Sequence, residues 1–193
     1  MRLYPNERLA LFIDGANLYS ATKALHADID FKKMIDALRD KAVLVRAHYY
    51  TAVTEGEEFS PIRPLIDFLG YNGFTMVTKP AKRFTDAQGH TRTKGNMDIE
   101  IAVDMLELAP RIDHAILFSG DGDFRRLVQA TQAKGVRVTV VSTLKSQPPM
   151  IADELRRQAD DFIDLVDLLQ DYGRARAPAA APSVRTFDRD DRA

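Results

Sequence analysis

The chain has 193 residues, 45% hydrophobic and 28% charged, with a net charge of −1, which suits one globular domain with a substantial core. It has no cysteine, so disulfides and zinc–thiolate sites are excluded and a reducing compartment is favoured. No apolar run approaches the roughly 18 residues of a membrane span, and Met1–Glu7 does not read as a signal peptide, so the expectation is a cytoplasmic protein with no membrane partner.

In chain order, Leu9-Ala10-Leu11-Phe12-Ile13 predicts a buried strand, with Asp14-Gly15-Ala16-Asn17 at its carboxyl end. A helix starting near Asn17 carries Leu18, Ala21 and Leu25 on one face. Helix capping is the plain alternative role for Asp14 and Asn17. Asp30 predicts the cap of a second helix, Phe31–Arg39, and Ala42–Tyr50 reads as a strand. Ser60-Pro61 predicts a helix start. That helix carries Ile62, Leu65, Ile66 and Leu69 to a stop at Gly70 or Gly73, and a strand follows at Phe74–Val77.

Residues 79–95 interrupt the pattern. They carry Lys79, Lys82, Arg83, Arg92 and Lys94 against Asp86 alone, a local charge of +4. Asp86–His90 predicts the tip of a hairpin extension, whose basic residues could follow a polyanionic backbone and whose Phe84 could stack on a base. An ordinary solvated loop has the same composition. The body outside this segment and the basic C-terminal stretch is acidic.

Asn96–Leu108 predicts an amphipathic helix with Ile101, Met105 and Leu108 inward. Asp98 lies three, four and seven residues before Ile101, Ala102 and Met105, so it points to the core side and needs a partner. A cation or the helix N-terminus would serve. Glu100, Asp104 and Glu107 read as a solvated face, with Asp104 near enough to support a site from behind. Ala115–Phe118 predicts a central strand, followed by Ser119-Gly120-Asp121-Gly122-Asp123-Phe124 and a helix from Phe124 to Ala133. One Asp would suffice to cap that helix, and this turn has two. Val136–Val141 predicts a strand, Pro149–Arg157 a helix and Asp161–Leu165 an edge strand, with a last helical turn to Tyr172. From Gly173 onward the composition predicts a disordered tail.

Alternating strands and helices predict an α/β fold with a mostly parallel sheet covered on both faces. Usual switch-point order makes the Leu9–Ile13 and Ala115–Phe118 strands neighbours. Asp14, Asp98, Asp121 and Asp123 then share one crevice. Four such charges raise one another's pKa unless a cation is bound. Oxygen ligands favour Mg2+ or Mn2+, which can activate water and stabilise charge on a phosphodiester. No other catalytic set competes: His26, His48, His90 and His114 lack zinc-ligand spacing, and no phosphate-binding glycine motif follows the first strand.

Leu11–Asn17, Lys94-Gly95-Asn96-Met97-Asp98 and Ser119–Phe124 resemble the three motifs of the NYN domain family, in its LabA-like branch, within the PIN-like nuclease superfamily. Asn96-Met97 departs from the more usual Lys-Gly-Val-Asp pattern and moves Asp98 one position further from Lys94. The resemblance spans roughly residues 8–167 and implies a three-layer α/β/α sandwich, PIN-like or Rossmann-like; with the tail read from composition at 173–193, the domain is expected over residues 1–172. It implies metal-dependent hydrolysis of RNA, with Asp14, Asp98, Asp121 and Asp123 as metal ligands and Asn17 and Ser119 orienting ligands or water. Lys79, Lys82, Arg83, Lys94 and Arg125 are the candidate phosphate contacts. The rival functions are an RNA- or protein-binding module with a structural ion, and a small-molecule phosphohydrolase. A homo-oligomer is compatible with either.

Overall fold

Leu9 to Ile13 are all fully buried within strand β1 (Arg8–Asp14), as expected for a strand covered on both faces. The computed structural model describes residues 2–54, 62–85, 91–94 and 96–175, with the backbone alone described at 54, 82–85, 91–94 and 175. After β1 come α1 (Gly15–Ala24), β2 (Ala27–Ile29), α2 (Phe31–Arg39), β3 (Val43–Thr54), α3 (Arg63–Tyr71), β4 (Thr75–Thr85) and β5 (Thr91–Lys94). The second half runs α4 (Asp98–Leu108), β6 (His114–Phe118), α5 (Arg125–Gln132), β7 (Arg137–Ser142), α6 (Asp153–Gln158), β8 (Asp161–Asp164), α7 (Leu165–Tyr172) and β9 (Gly173–Ala175).

The main sheet has the order β5-β4-β3-β1-β6-β7-β8. Every neighbouring pair is parallel except β4 with β5. From β1 the chain builds outward through β3 and β4, then returns to β6 on the other side of β1. That reversal opens a crevice beyond the carboxyl ends of β1 and β6, as the sequence leads one to expect. Side-chain alternation divides the core. Leu9, Leu11 and Ile13 pack with Leu18, Ile35, Leu38 and Leu168. Ala10 and Phe12 pack with Ile101, Met105, Val128 and Leu155 on the opposite face. Helices therefore cover both faces of an α/β sandwich.

Several boundaries differ from the sequence reading. β4 continues to Thr85 and pairs antiparallel with β5, from Lys82↔Lys94 to Thr85↔Thr91. This is the expected hairpin, while its tip at 86–90 and the Ser60-Pro61 helix start lie outside the described residues. β3 continues beyond Tyr50 to Thr54 because β4 runs beside it that far. α6 begins at Asp153 rather than Pro149. The Met150 and Ala152 N–H groups donate instead to the carbonyls of Thr143 at 3.0 Å and Gly120 at 2.9 Å, so the segment ahead of α6 is held as a loop against the β6 turn.

The folded unit also runs past Tyr172. Gly173–Ala175 pair antiparallel with β2, where composition alone predicts the start of a tail. Backbone pairing needs no apolar side chains, so a composition argument is blind to it. A Cβ on Gly173 would meet the Leu169 carbonyl oxygen at 2.2 Å, so glycine permits the close turn from α7 into β9. Residues 176–193 lie outside the described residues. Among the described residues no helix is long and apolar enough to cross a membrane.

Candidate metal centre

The carboxyl ends of β1 and β6 are tied together by side chains. Asp14 caps α1: its Oδ1 accepts from the Asn17 N–H at 3.1 Å, and its Oδ2 accepts from the Ser119 hydroxyl at 3.2 Å. Asn17 is therefore not the cap. Its own Oδ1 accepts from the Gly120 N–H at 3.1 Å. The Ser119 Oγ, 2% exposed as a residue, also accepts from the Asp121 N–H at 3.3 Å. Asp121 in turn caps the short 3-10 turn Gly122–Phe124, accepting from the Asp123 N–H at 3.0 Å. Capping and site-building are thus the same act for Asp14 and Asp121. Gly120 has no room for a side chain, since a Cβ there would lie 1.6 Å from the Met150 carbonyl oxygen.

Asp98 arrives from a third element as the first residue of α4. The helix starts there rather than at Asn96 because Asn96 folds into a turn, accepting the Asp98 N–H on its Oδ1 at 2.6 Å. Its Nδ2 donates to Asp98 Oδ2 at 2.5 Å. Asp98, Asp121 and Asp123 each offer a carboxylate oxygen, and the three lie within 4.8 Å of one another. Asp14 is not one of these three, but with Asp98 and Asp121 it lines a cavity of about 480 Å3 together with Asn17, Tyr50, Asn96, Met97 and Met150; Asp123, expected in the same crevice, is exposed and is not among the lining residues.

Burial raises the pKa of Asp98. The Asn96 hydrogen bond opposes the rise, while the charges of Asp121, Asp123 and Glu100 add to it. Burial likewise raises Asp14, against hydrogen bonds from Asn17 and Ser119, and the Asp98 charge contributes a smaller push. The donors are hard oxygens of like charge crowded at one point. That set suits a divalent cation such as Mg2+ or Mn2+, with which carboxylate ligands are typically supplemented by water.

The other residues singled out by the sequence fall in different places. Lys79 is paired with Glu100 at 2.9 Å, and the Asp104 Oδ2 accepts from the Tyr50 hydroxyl at 3.0 Å. Glu100 and Asp104 are therefore both partly buried and engaged, in place of the solvated face read from their spacing. Glu107 does face solvent. Arg125 is exposed at the start of α5, two residues after Asp123. Lys82 and Arg83 lie on β4 and Lys94 on β5; their side chains, with those of Phe84 and His90, are outside the described residues. His48 stacks between Phe12 and Tyr50, and His114 is buried against Thr139.

The sequence reading missed Tyr50, Asn96 and Met150 as cavity residues. Tyr50 lies on β3 opposite Asp14, the last residue of β1, so switch-point logic could have found it. Asn96 precedes Asp98 at the spacing of a side-chain-capped turn. Met150 arrives through tertiary loop packing and leaves no local signal.

The model of the NYN domain matches residues 8–168. The protein is 38% identical over 165 residues to the Low amplitude and bright protein LabA of Synechococcus elongatus, covering 83% of this chain and 85% of that one. Its fold is similar to that of a Vibrio parahaemolyticus protein of unknown function seen in a crystal structure, with a TM-score of 0.72 and 27% identity, over 90% of this chain and 100% of the other. The three aspartate-bearing segments, their order and their convergence beyond β1 and β6 agree with that match, and the chain belongs to the NYN domain family, a PIN-like nuclease family.

Proposed function

We propose that the protein is a ribonuclease that hydrolyses RNA phosphodiester bonds with Mg2+ or Mn2+ held by Asp98, Asp121 and Asp123, with Asp14 beside them. The observation that carries this reading is the approach of three carboxylate oxygens to within 4.8 Å of one another. Left alone, such a cluster is repulsive, and a bound cation would relieve that repulsion. A divalent ion there would supply positive charge to a phosphodiester and ease the deprotonation of water. The chain's own residues do the rest. Ser119 and Asn17 fix the Gly120–Asp123 loop against the end of β1. Arg125 and the hairpin residues Lys82, Arg83 and Lys94 are the cations offered to flanking phosphates, and Lys79 joins them only by leaving Glu100. The cysteine-free sequence fits a cytoplasmic place of work.

The test is cleavage of mixed labelled RNAs with Mg2+, Mn2+ or a chelator, by the wild type and Asp121→Asn. Cleavage that needs metal and vanishes in the variant is expected. Cleavage undiminished by chelator would remove the metal from the reading. Turnover of phosphomonoesters in place of RNA would make the protein a small-molecule phosphohydrolase.

A further inference from the structure

We infer that Asn96 is a positioning residue for the metal centre, acting through Asp98. This rests on the ribonuclease reading only in its metal-binding part. α4 begins with a deficit: Met97 occupies its N-cap position and offers no side-chain acceptor, and no side-chain cap bond is formed there. Asn96 fills the gap from one residue further out. Its amide makes two bonds to a single residue, accepting from the Asp98 backbone N–H and donating to the Asp98 carboxylate.

The two bonds fix the amide's orientation. Reversing it would set an N–H against an N–H and an oxygen against a carboxylate oxygen, so one arrangement alone is compatible with the donor and acceptor inventory. Both the backbone and the Oδ2 of Asp98 are thereby held, and the carboxylate is left with Oδ1 and the remaining lone pairs of Oδ2. Asp98 is the sole member of the three-carboxylate cluster that does not come from the β6 turn. Asp121 and Asp123 are fixed by their own turn and by Ser119. Among the described residues, the side-chain hydrogen-bond partner of the Asp98 carboxylate is Asn96. Partners of metal ligands of this kind typically contribute 10–100-fold to metal affinity.

The experiment is Mn2+ titration by calorimetry, with metal-free and Mn2+-saturated melting, on the full chain. Wild type, Asn96→Ala, Asn96→Ser, Asp98→Asn and the Asn96→Ala/Asp98→Asn double variant are compared. Serine keeps an acceptor for the Asp98 N–H in a similar turn but does not reproduce the two-point amide contact, so the metal-free melting temperature should hold. Asn96→Ala and Asn96→Ser are expected to weaken Mn2+ binding about 10-fold. In the Asp98→Asn background the same Asn96→Ala change should add little, because the two residues act as one unit. Wild-type affinity in both single Asn96 variants would overturn the inference while leaving the metal site standing. An equal loss in the Asp98→Asn background would overturn it too, since Asn96 would then act elsewhere. A wild type that does not bind Mn2+ would overturn the metal-binding reading and this inference together, an outcome distinct from the other two.

Discussion

At the scale of single residues, charge at the centre and burial at the far end of the sheet set opposite expectations. Asp121→Asn keeps the side-chain shape and the acceptor for the Asp123 N–H while removing one charge from the cluster. Without metal its melting temperature should stay level or rise, and the Mg2+-dependent rise should shrink. Equal Mg2+-dependent rises in the two proteins would exclude Asp121 from the metal's ligands. Glu100→Gln breaks the pair with Lys79, in which both side chains are about one-third exposed. A loss of less than about 1 kcal/mol is expected by denaturant unfolding. At the amino end of β6, His114 is fully buried and accepts on Nδ1 from Arg137, while its Nε2–H donates to Thr139. Burial first, and then the Arg137 charge, lower its pKa from 6.5 to about 4, against the opposing pull of Glu7. Between those two values the unfolded chain takes up a proton that the folded one refuses. Stability should therefore fall as pH drops through this window, by at most about 1.4 kcal/mol per pH unit. His114→Gln should flatten that slope in pH-dependent unfolding. The four aspartates were legible because each sits at a strand end or a helix start. The partners of Lys79 and Asp104 were not, because a 3.6-residue period says which face a residue occupies and nothing about what the neighbouring sheet presents to it.

At the scale of elements, the loop between β6 and α5 depends on how closely another backbone approaches it. Gly120→Ala would drive a Cβ to 1.6 Å from the Met150 carbonyl oxygen and 2.6 Å from Ser142 Oγ. The loop must move, at a cost of about 3 kcal/mol or more, and metal binding should fall with it. Gly122→Ala meets the Glu154 carboxylate end at 2.6 Å and the Ala152 Cβ at 3.2 Å. The Glu154 side chain can swing away, so a loss below about 1.5 kcal/mol is expected. Urea unfolding of both variants checks the contrast, and equal losses would contradict it. The sequence marked this loop as a turn through its glycines. It did not mark the 142–152 segment that closes over it, of which residues 149–152 read as the start of a helix. β1 and β6 were found because five and four consecutive apolar residues leave little else to be. The Asn96–Asp98 junction was placed two residues early because an asparagine that turns the chain and one that starts a helix look alike in sequence.

At the scale of the whole molecule, the last strand joins distant parts of the chain. β9 pairs with β2, and the Tyr172 carbonyl accepts from the Asp30 N–H at 2.7 Å. Truncation after Ala175 keeps these contacts and should leave the melting temperature almost unchanged, given a remaining stretch rich in Ala, Pro, Arg and Asp. Truncation after Tyr172 removes β9 and should lower it by several degrees. Two truncations with the same melting temperature would show that β9 contributes little. The layered parallel architecture was readable from alternation alone, because a parallel sheet obliges the chain to cross over between strands. The antiparallel β2–β9 ribbon was not readable, since three residues of Gly, Arg and Ala carry no strand pattern.

The hydrogen bond from Ser119 to Asp14 spans 105 positions of sequence, and this sets when in its life the protein can assemble the cavity proposed to hold a metal. A nascent chain emerging from the ribosome presents Asp14 and Asn17 early, then makes roughly a hundred residues before their partners exist. At typical synthesis rates of about 5–20 residues per second, that interval is several seconds or more. A truncated product that stops before β6 would hold half of a cavity and neither Asp121 nor Asp123. On the reading proposed above, metal binding would be confined to chains that have closed the central pair of strands, and an incomplete copy would lack two of the three clustered carboxylates.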